Sequence, residues 1–343
     1  MDATAALPAP VTGAFLLRNV PFAEGGVLPE LRLRYTTLGT LRRDAAGRAT
    51  NAVLLLHGTG GSGQAFLRPQ FASELFGPGQ PLDARRHFLI LPDAIGHGGS
   101  SKPSDGLRAA FPRYSYADMV AAYHTLLIQG LGVERLRLVL GTSMGGMQTW
   151  MWGYLHAEMA EALLPLAALP AEIAGRHRML RRMASDAIRG DPAWRDGAYT
   201  EQPPGLTTAI YVLLLMVSAP ARWQREAPTA AAADALFARM VGEYRASLDA
   251  NDLLYQIEAS RDYDPAPHLE RIAAPLLAIN FADDLVNSPE LGILEREIQR
   301  VPRGEAVLVP ASAESQGHRS HAWPVLWKQH LVRLLALLPP LPR

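Results

Sequence analysis

The sharpest chemical signal in the chain is a serine between glycines, in residues 141–146 (GTSMGG). The segment has G-x-S-x-G spacing, follows an apolar run at 136–140 and opens a helical pattern. So tight a turn from strand to helix requires glycine where side chains would clash. It leaves the hydroxyl exposed at the end of the strand, beside the unpaired amides of the helix. The pattern predicts a nucleophile, Ser143; the alternative is a glycine-rich turn that only packs helix on strand.

A serine nucleophile needs a base, and the base needs an acid that orients it. In proteins with such a turn the order along the chain is serine, acid, histidine. The acid is therefore expected after the apolar run at 276–281, where Asp283 and Asp284 stand side by side. We favour Asp284, and expect the other aspartate to cap the next helix or bind loop amides.

The base is expected after the last apolar run, at 306–309, where the chain offers His318 and His321. We favour His318 because it follows Gly317 in a flexible loop. His321 then packs at the start of the last helix or lines the pocket.

Acyl chemistry also requires donors for a developing oxyanion. The amide of Met144 is one candidate, since it follows the serine directly. The second is expected in the turn at 57–63 (HGTGGSG), where Thr59 is the first choice and Gly60 the next. A phosphate cradle is the competing interpretation, but the turn lacks a Gly-Lys-Ser/Thr ending. The other glycine-rich segment, at 93–101, is expected to be a tight structural loop beside the pocket.

Strands and helices alternate along most of the sequence. Residues 31–37 alternate between apolar and polar and predict an edge or antiparallel strand. Further strands are predicted from continuous apolar runs, which are typical of a buried parallel sheet. These runs lie at 53–57, 88–92, 136–140, 163–168, 276–281 and 306–309. Helical patterns are found at 116–130, 144–156, 289–300 and 324–338. The alternation predicts an α/β fold with a mostly parallel, doubly wound sheet.

The alternation stops between residues 170 and 265, where helical patterns occur and no strand is evident. A helical insertion late in such a sheet is expected to lie above the strand ends as a lid. We therefore predict a flexible tail at 1–12, a core domain of 13–169 and 266–343, and a helical lid at 170–265.

The composition narrows the function classes. The 343 residues hold 33 basic and 33 acidic side chains and no cysteine. The balance argues against nucleic acid or acidic lipid as a partner, and the lack of thiols excludes disulfides and thiolate metal sites. No H-E-x-x-H motif or carboxylate cluster indicates a metal, and the expected chemistry needs no cofactor.

The longest uncharged stretch, 202–221, is interrupted by proline and too short to span a bilayer. We predict a soluble protein that is cytoplasmic, or periplasmic or secreted if a signal peptide has been removed.

The sequence resembles the α/β-hydrolase superfamily and, more narrowly, its homoserine O-acetyltransferase-like branch. The resemblance extends from residue 31 to about residue 335. It is carried by residues 35–40 (YTTLGT), 51–53, 77–79 with Asp83, 111–112, 118–120, 141–148, Asp284 with Pro289 and Glu290, and Gly317 with His318. It implies a triad of Ser143, Asp284 and His318, and a helical lid that often forms a dimer interface.

Two departures from the acetyltransferases bear on the substrate. Those enzymes tend to carry, directly after the histidine, an aspartate that holds the amino group of homoserine, and here Arg319 occupies that position. Residues 93–103 and 57–60 are in the style of ester hydrolases. We therefore predict a serine hydrolase that cleaves small or medium carboxylic esters through an acyl-enzyme. One alternative is an O-acyltransferase of the homoserine O-acetyltransferase type, and another is a non-catalytic binding protein. A homodimer through the lid is possible.

Overall fold

The computed structural model describes residues 7–341, and its centre is an eight-stranded sheet. In chain order the strands are β1 (Val11–Pro21), β2 (Val27–Leu38), β3 (Ala52–Leu56), β4 (Phe88–Pro92), β5 (Leu138–Thr142), β6 (Leu163–Leu166), β7 (Leu276–Phe281) and β8 (Gly304–Val309). Their order across the sheet is β1-β2-β4-β3-β5-β6-β7-β8. The first two strands are antiparallel to their neighbours, and all other pairs are parallel.

Burial explains why the inner strands are continuous apolar runs. Every residue of β3, β5, β6 and β7 is buried, because side chains cover both faces of the sheet. On β3, Leu54 belongs to the hydrophobic core that includes Trp150, and Leu55 belongs to the core on the opposite face, which includes Trp327. The alternation of side chains along a strand thus supplies both cores.

Ten helices surround and extend the sheet. They are α1 (Pro69–Leu75), α2 (Tyr116–Thr125), α3 (Met144–Leu155), α4 (Gly175–Arg189), α5 (Pro204–Met216), α6 (Pro220–Glu226), α7 (Ala230–Ser247), α8 (Ala250–Glu258), α9 (Ile293–Glu297) and α10 (Lys328–Leu335), counted within residues 7–341. α3 packs against β3, β5 and β6. The five helices from α4 to α8 all lie between β6 and β7, the interval in which the sequence predicts a helical insertion.

The predicted α/β architecture with a mostly parallel sheet is confirmed, and some details differ; the helix predicted at 324–338, for example, is α-helical only at Lys328–Leu335. β1 begins at Val11, inside the segment for which the sequence predicts a tail, and residues 1–6 of that segment lie outside the described residues. Few of its side chains are covered, so the apolar pattern that reveals a strand is weak there. The helix predicted at 289–300 is broken at Gly292, whose φ of 61° lies in the left-handed region.

Several large apolar side chains of the helical insertion are exposed. They are Met179, Met183, Tyr211, Leu215 and Phe237. The homodimer through the lid stays a prediction. Within residues 7–341 no single helix is long and apolar enough to cross a membrane. Only α5 and α6 taken together have that length and apolar composition, and the chain bends by 105° between them.

A glycine lets α3 approach the sheet closely. A Cβ atom on Gly145 would lie 2.0 Å from the carbonyl oxygen of Leu56, at the end of β3. Since that neighbour is backbone in a fully buried strand, it cannot rotate away. Gly242, in the exposed helix α7, has nothing within 4 Å of the corresponding position.

Alanine at these two glycines is therefore expected to act in opposite directions. Gly145→Ala should lower the free energy of unfolding by about 3 kcal/mol, the upper range for overpacking. Gly242→Ala should raise it by about 0.5–1 kcal/mol, because alanine costs less backbone entropy in a helix. Urea unfolding followed by circular dichroism measures both. Equal stability of the two variants would contradict the close contact between α3 and β3.

Candidate active site

Ser143 occupies the sharp corner between β5 and α3. Its φ of 54° and ψ of −114° lie outside the regions that non-glycine residues favour, so the turn is strained. The strain is held by hydrogen bonds on both sides: the Ser143 amide donates to Leu166 O of β6 at 2.9 Å, and the Met147 amide donates to Ser143 O at 2.9 Å. The side chain remains partly accessible. This is the geometry that the glycine-flanked serine predicts.

Two short hydrogen bonds join Ser143 to the predicted base and acid. Ser143 Oγ lies 2.8 Å from His318 Nε2, and His318 Nδ1 lies 2.8 Å from Asp284 Oδ2. The three residues follow β5, β7 and β8, whose carboxyl ends meet at one edge of the sheet. His318 is 5% exposed and Asp284 is 1% exposed, so the second bond is shielded from water. The structure thus brings together the three residues that the sequence favours.

Asp284 remains a carboxylate in spite of its burial. Burial by itself raises its pKa, but the charge of His318 and the hydrogen bonds that the carboxylate accepts hold the pKa below the ordinary value. Oδ1 accepts from the amides of Val286 and Asn287 at 2.7 and 3.2 Å. Oδ2 accepts from Asn287 Nδ2 at 3.0 Å in addition to His318. The site therefore contains an ionised acid that can hold one tautomer of the imidazole.

The neighbouring aspartate has a different task. Asp283 Oδ2 accepts a hydrogen bond from the Gly317 amide at 2.9 Å, and this fixes the loop in front of His318. Gly317 has a φ of 59°, and a Cβ atom there would come within 3.1 Å of Ser218 O. This is the loop-amide role that the sequence leaves for one of the two aspartates.

Two further histidines lie beside His318 and carry no carboxylate partner. The ring of His321 is 5.4 Å from that of His318 at 80°, and burial followed by the charge of His318 lowers its pKa to about 3. His177 of α4 accepts a hydrogen bond from Arg181 Nε at 2.9 Å. Burial and then the Arg181 charge lower the pKa of His177 well below its ordinary value. Both rings are therefore neutral around pH 7.

His177 and Asn287 are residues of the site that the sequence did not single out. His177 lies in the helical insertion, and no pattern in the chain says which residues of that insertion face His318. Asn287 could have been suspected from the sequence, because it follows Asp284 by three residues. In the structure its Nδ2 also donates to Ala167 O at 2.8 Å.

The glycine-rich turn at 57–63 reaches Ser143 from β3. A Cβ atom on Gly58 would lie 3.4 Å from Ser143 Cβ, so the turn passes directly beside the nucleophile. Within residues 7–341, the amides of Thr59 and Met144 donate to no other backbone group. Two uncommitted amides next to a serine hydroxyl are the elements from which an oxyanion site is built.

A cavity of about 420 Å³ opens between this turn and the helical insertion. Gly60 and Gly61 form one wall, Lys102 another, and Asp249 and Asp252 of the insertion a third. Burial raises the pKa of Asp252 to about 6, although its carboxylate accepts two hydrogen bonds from Ser104. The volume is in the range of small-molecule sites, and the walls are largely polar. In the part of the chain that is described, no group of three or more metal-binding side chains is present.

Comparison with known proteins agrees with this geometry. The family model for the α/β hydrolase fold matches residues 51–311. A homoserine O-acetyltransferase from Chlorobaculum parvum is 37% identical over 204 residues, which are 55% of this chain and 54% of that protein. The chain spans little more than half the length of the first curated relatives that it matches.

Two solved structures share the fold over nearly the whole chain. An acetylester hydrolase from Corynebacterium glutamicum superposes with a TM-score of 0.82 and 21% identity, covering 95% of this chain and 96% of that one. A homoserine O-acetyltransferase from Bacillus anthracis superposes with a TM-score of 0.81 and 22% identity, covering 95% and 97%. The resemblance inferred from the sequence motifs is confirmed.

The roles of the two adjacent aspartates can be separated by matched amide substitutions. Asp284→Asn should lower the rate of labelling of Ser143 by a fluorophosphonate by roughly 10³-fold or more, because an amide cannot hold the imidazole with Nδ1 protonated. Asp283→Asn, which keeps an oxygen to accept from the Gly317 amide, should change that rate less than about threefold. Labelling rates measured by intact mass spectrometry decide this. The reverse order of effects would assign the acid to Asp283.

Proposed function

The chain belongs to the α/β-hydrolase family, and on that premise we propose that it is an acyl-transfer enzyme in which Ser143 forms an acyl-enzyme and an alcohol accepts the acyl group. One observation carries the acyl-enzyme chemistry: the 2.8 Å contacts that connect Ser143 Oγ through His318 to the buried Asp284. A hydroxyl with a base at hydrogen-bond distance, and a base with an ionised acid behind it, is the arrangement that activates serine.

The proposed reaction has two halves. Ser143 Oγ attacks the carbonyl carbon of the acyl donor while His318 Nε2 takes the hydroxyl proton, and Asp284 stabilises the imidazolium that forms. The amides of Thr59 and Met144 bind the oxyanion; losing one such donor costs roughly 3 kcal/mol of barrier. As the tetrahedral intermediate collapses, the bond to the leaving group breaks and His318 returns the proton to it. His318 then deprotonates the acceptor, whose oxygen attacks the acyl-enzyme; as this second intermediate collapses, the acyl C–Oγ bond breaks and His318 returns the proton to Ser143 Oγ.

The sequence relatives favour an alcohol over water as acceptor. The first curated matches are homoserine O-acetyltransferases at 34–37% identity. They support the alternative that the sequence left open more than its first choice, ester hydrolysis. Arg319 follows His318 where an acetyltransferase would carry the aspartate that holds an amino group. We therefore propose that the acceptor is an alcohol that does not place a free ammonium group next to Arg319.

Hydrolysis of a small or medium carboxylic ester is the second candidate. It uses the same residues, with water in place of the alcohol, and differs only in whether the insertion excludes water from the acyl-enzyme. Its support is the acetylester hydrolase that shares the fold over 95% of this chain. The cavity of about 420 Å³ has the volume of a small-ligand site and lies beside the turn at 57–63, but neither Ser143 nor His318 lines it.

The two reactions are separated by the acceptor dependence of acyl release. The purified protein is given acetyl-CoA alone, then acetyl-CoA with homoserine, serine or glycerol, and CoA release is followed with a thiol reagent. In parallel it is given p-nitrophenyl acetate with and without the same alcohols. We expect acyl release to rise at least tenfold with glycerol, which has no ammonium group, and not with homoserine or serine, and mass spectrometry to detect the new ester. Acceleration by homoserine would contradict the proposed acceptor.

Each outcome decides between the candidates. Release that no alcohol accelerates, with acetate as product, would replace the transfer proposal by hydrolysis. No release and no fluorophosphonate label in folded protein would overturn both. Ser143→Ala should abolish label and turnover, whereas Ser73→Ala, at an exposed serine that bonds only Pro69 O, serves as the matched control and should change neither.

A further inference from the structure

A second glycine-rich loop, at 93–99, is hydrogen-bonded to both ends of the turn at 57–63, which passes beside Ser143. We propose that His57 and Asp93 are positioning residues: they fix the turn at 57–63 to this loop and so aim the Thr59 amide at the oxyanion. The proposal rests on the proposed function, and it gives the loop, so far only a structural element, a part in the reaction. Both side chains are buried, and neither lines the cavity beside the turn.

The hydrogen bonds of His57 define its tautomer. The Ala94 amide donates to His57 Nε2 at 3.0 Å, and an amide N–H can only donate. His57 Nδ1 lies 2.9 Å from Gly58 O, and a carbonyl can only accept. The ring is therefore neutral, with its proton on Nδ1, and it ties the first peptide of the turn to the loop. Burial lowers the pKa of His57, in agreement with a neutral ring.

Asp93 holds the other end of the same turn. Its Oδ1 accepts from the Gly63 amide at 2.8 Å, and its Oδ2 accepts from the Gly99 amide at 2.8 Å. The carboxylate is 6% exposed, so these bonds are little weakened by water. Ser100 Oγ in turn donates to Asp93 O at 2.8 Å. His57 and Asp93 thus grip the turn at its first and last residues, with the Thr59 amide between them.

The space around His57 and Asp93 leaves little room for adjustment. The ring of His97 stands edge-on to His57 at 5.2 Å, and both side chains are 1% exposed. A Cβ atom on Gly98 would lie 2.3 Å from Asp93 Oδ2, and one on Gly61 would lie 3.1 Å from Gly58 O. Because the turn consists mainly of glycine, it has little stiffness of its own. Apart from the hydrogen bond from the Gly61 amide to Gly58 O at 3.1 Å, the two side chains hold its conformation.

A displaced oxyanion donor affects the transition state more than the bound substrate. Removing His57 should therefore lower kcat and leave KM almost unchanged. It should also lower the ratio of kcat for an ester to kcat for the matching thionoester. The reason is that amide donors stabilise the sulfur anion formed from a thionoester less than the oxyanion formed from an ester. A purely structural loss of stability would alter both substrates equally.

The test compares His57→Ala and His57→Gln with His87→Ala. His87 is another buried histidine, 4% exposed, whose contact is with Asp83 O in the loop before β4. In folded His57→Ala we expect kcat for p-nitrophenyl acetate to fall about 10–100-fold, with KM within threefold and a smaller ester-to-thionoester ratio. His57→Gln, which keeps a polar side chain, should recover part of the loss. His87→Ala should leave kcat and the ratio unchanged.

A measurement on the unmodified protein keeps the inference testable if His57→Ala does not fold. Imidazole ¹⁵N chemical shifts of His57 should report a proton on Nδ1 and none on Nε2 at pH 7. An Nε2–H tautomer, or kcat unchanged in folded His57→Ala, or an equal fall on ester and thionoester, would overturn the positioning role. If the unmodified protein turns over no acyl donor, the proposed function fails instead, and the ¹⁵N result still tests the hydrogen bonds of His57.

Discussion

The site depends on one geometric constraint: parallel strands in adjacent positions end at the same edge of a sheet. Ser143 and His318 are separated by 175 positions in the chain, yet their side chains are within hydrogen-bond distance. The pairing of β5, β6, β7 and β8 brings them together, since each strand delivers its following loop to the same place. A tight corner at one loop and a buried carboxylate at another then complete the arrangement.

The electrostatics of the site follow from which polar groups are paired. Asp284 is buried as an anion because it accepts three hydrogen bonds from its own loop and one from His318. His321 and His177, which have no carboxylate, are held neutral by burial. As a result, a proton taken from Ser143 has one favourable position, on the imidazole that faces the carboxylate. Neighbouring histidines do not compete for it.

The sequence predicted the parts of the fold that have strong local signatures. Buried parallel strands such as β7 were evident as apolar runs, and the serine was evident because only glycine fits around its turn. The edge strand β1 was not predicted, since most of its side chains face water and carry no core pattern. The preference for Asp284 over Asp283 was weak on local reasoning, because it depends on which carboxylate the loop turns inward. The family resemblance added to that preference, and in the structure Asp284 is the residue bonded to His318.

What distinguishes acyl transfer from hydrolysis lies in the helical insertion, where the sequence says least. The residues that would activate Ser143 are the same for both reactions, so the corner, the acid and the base carry no information about the acceptor. The helices α4 to α8 supply His177 beside His318, and Asp249 and Asp252 in the wall of the cavity. Whether water reaches an acyl-enzyme depends on how closely these helices cover the strand ends. The chain also aligns with little more than half of its first curated relatives. The proposed acceptor therefore depends on how the residues of this insertion, together with Arg319 directly after His318 in the sequence, shape the space around Ser143.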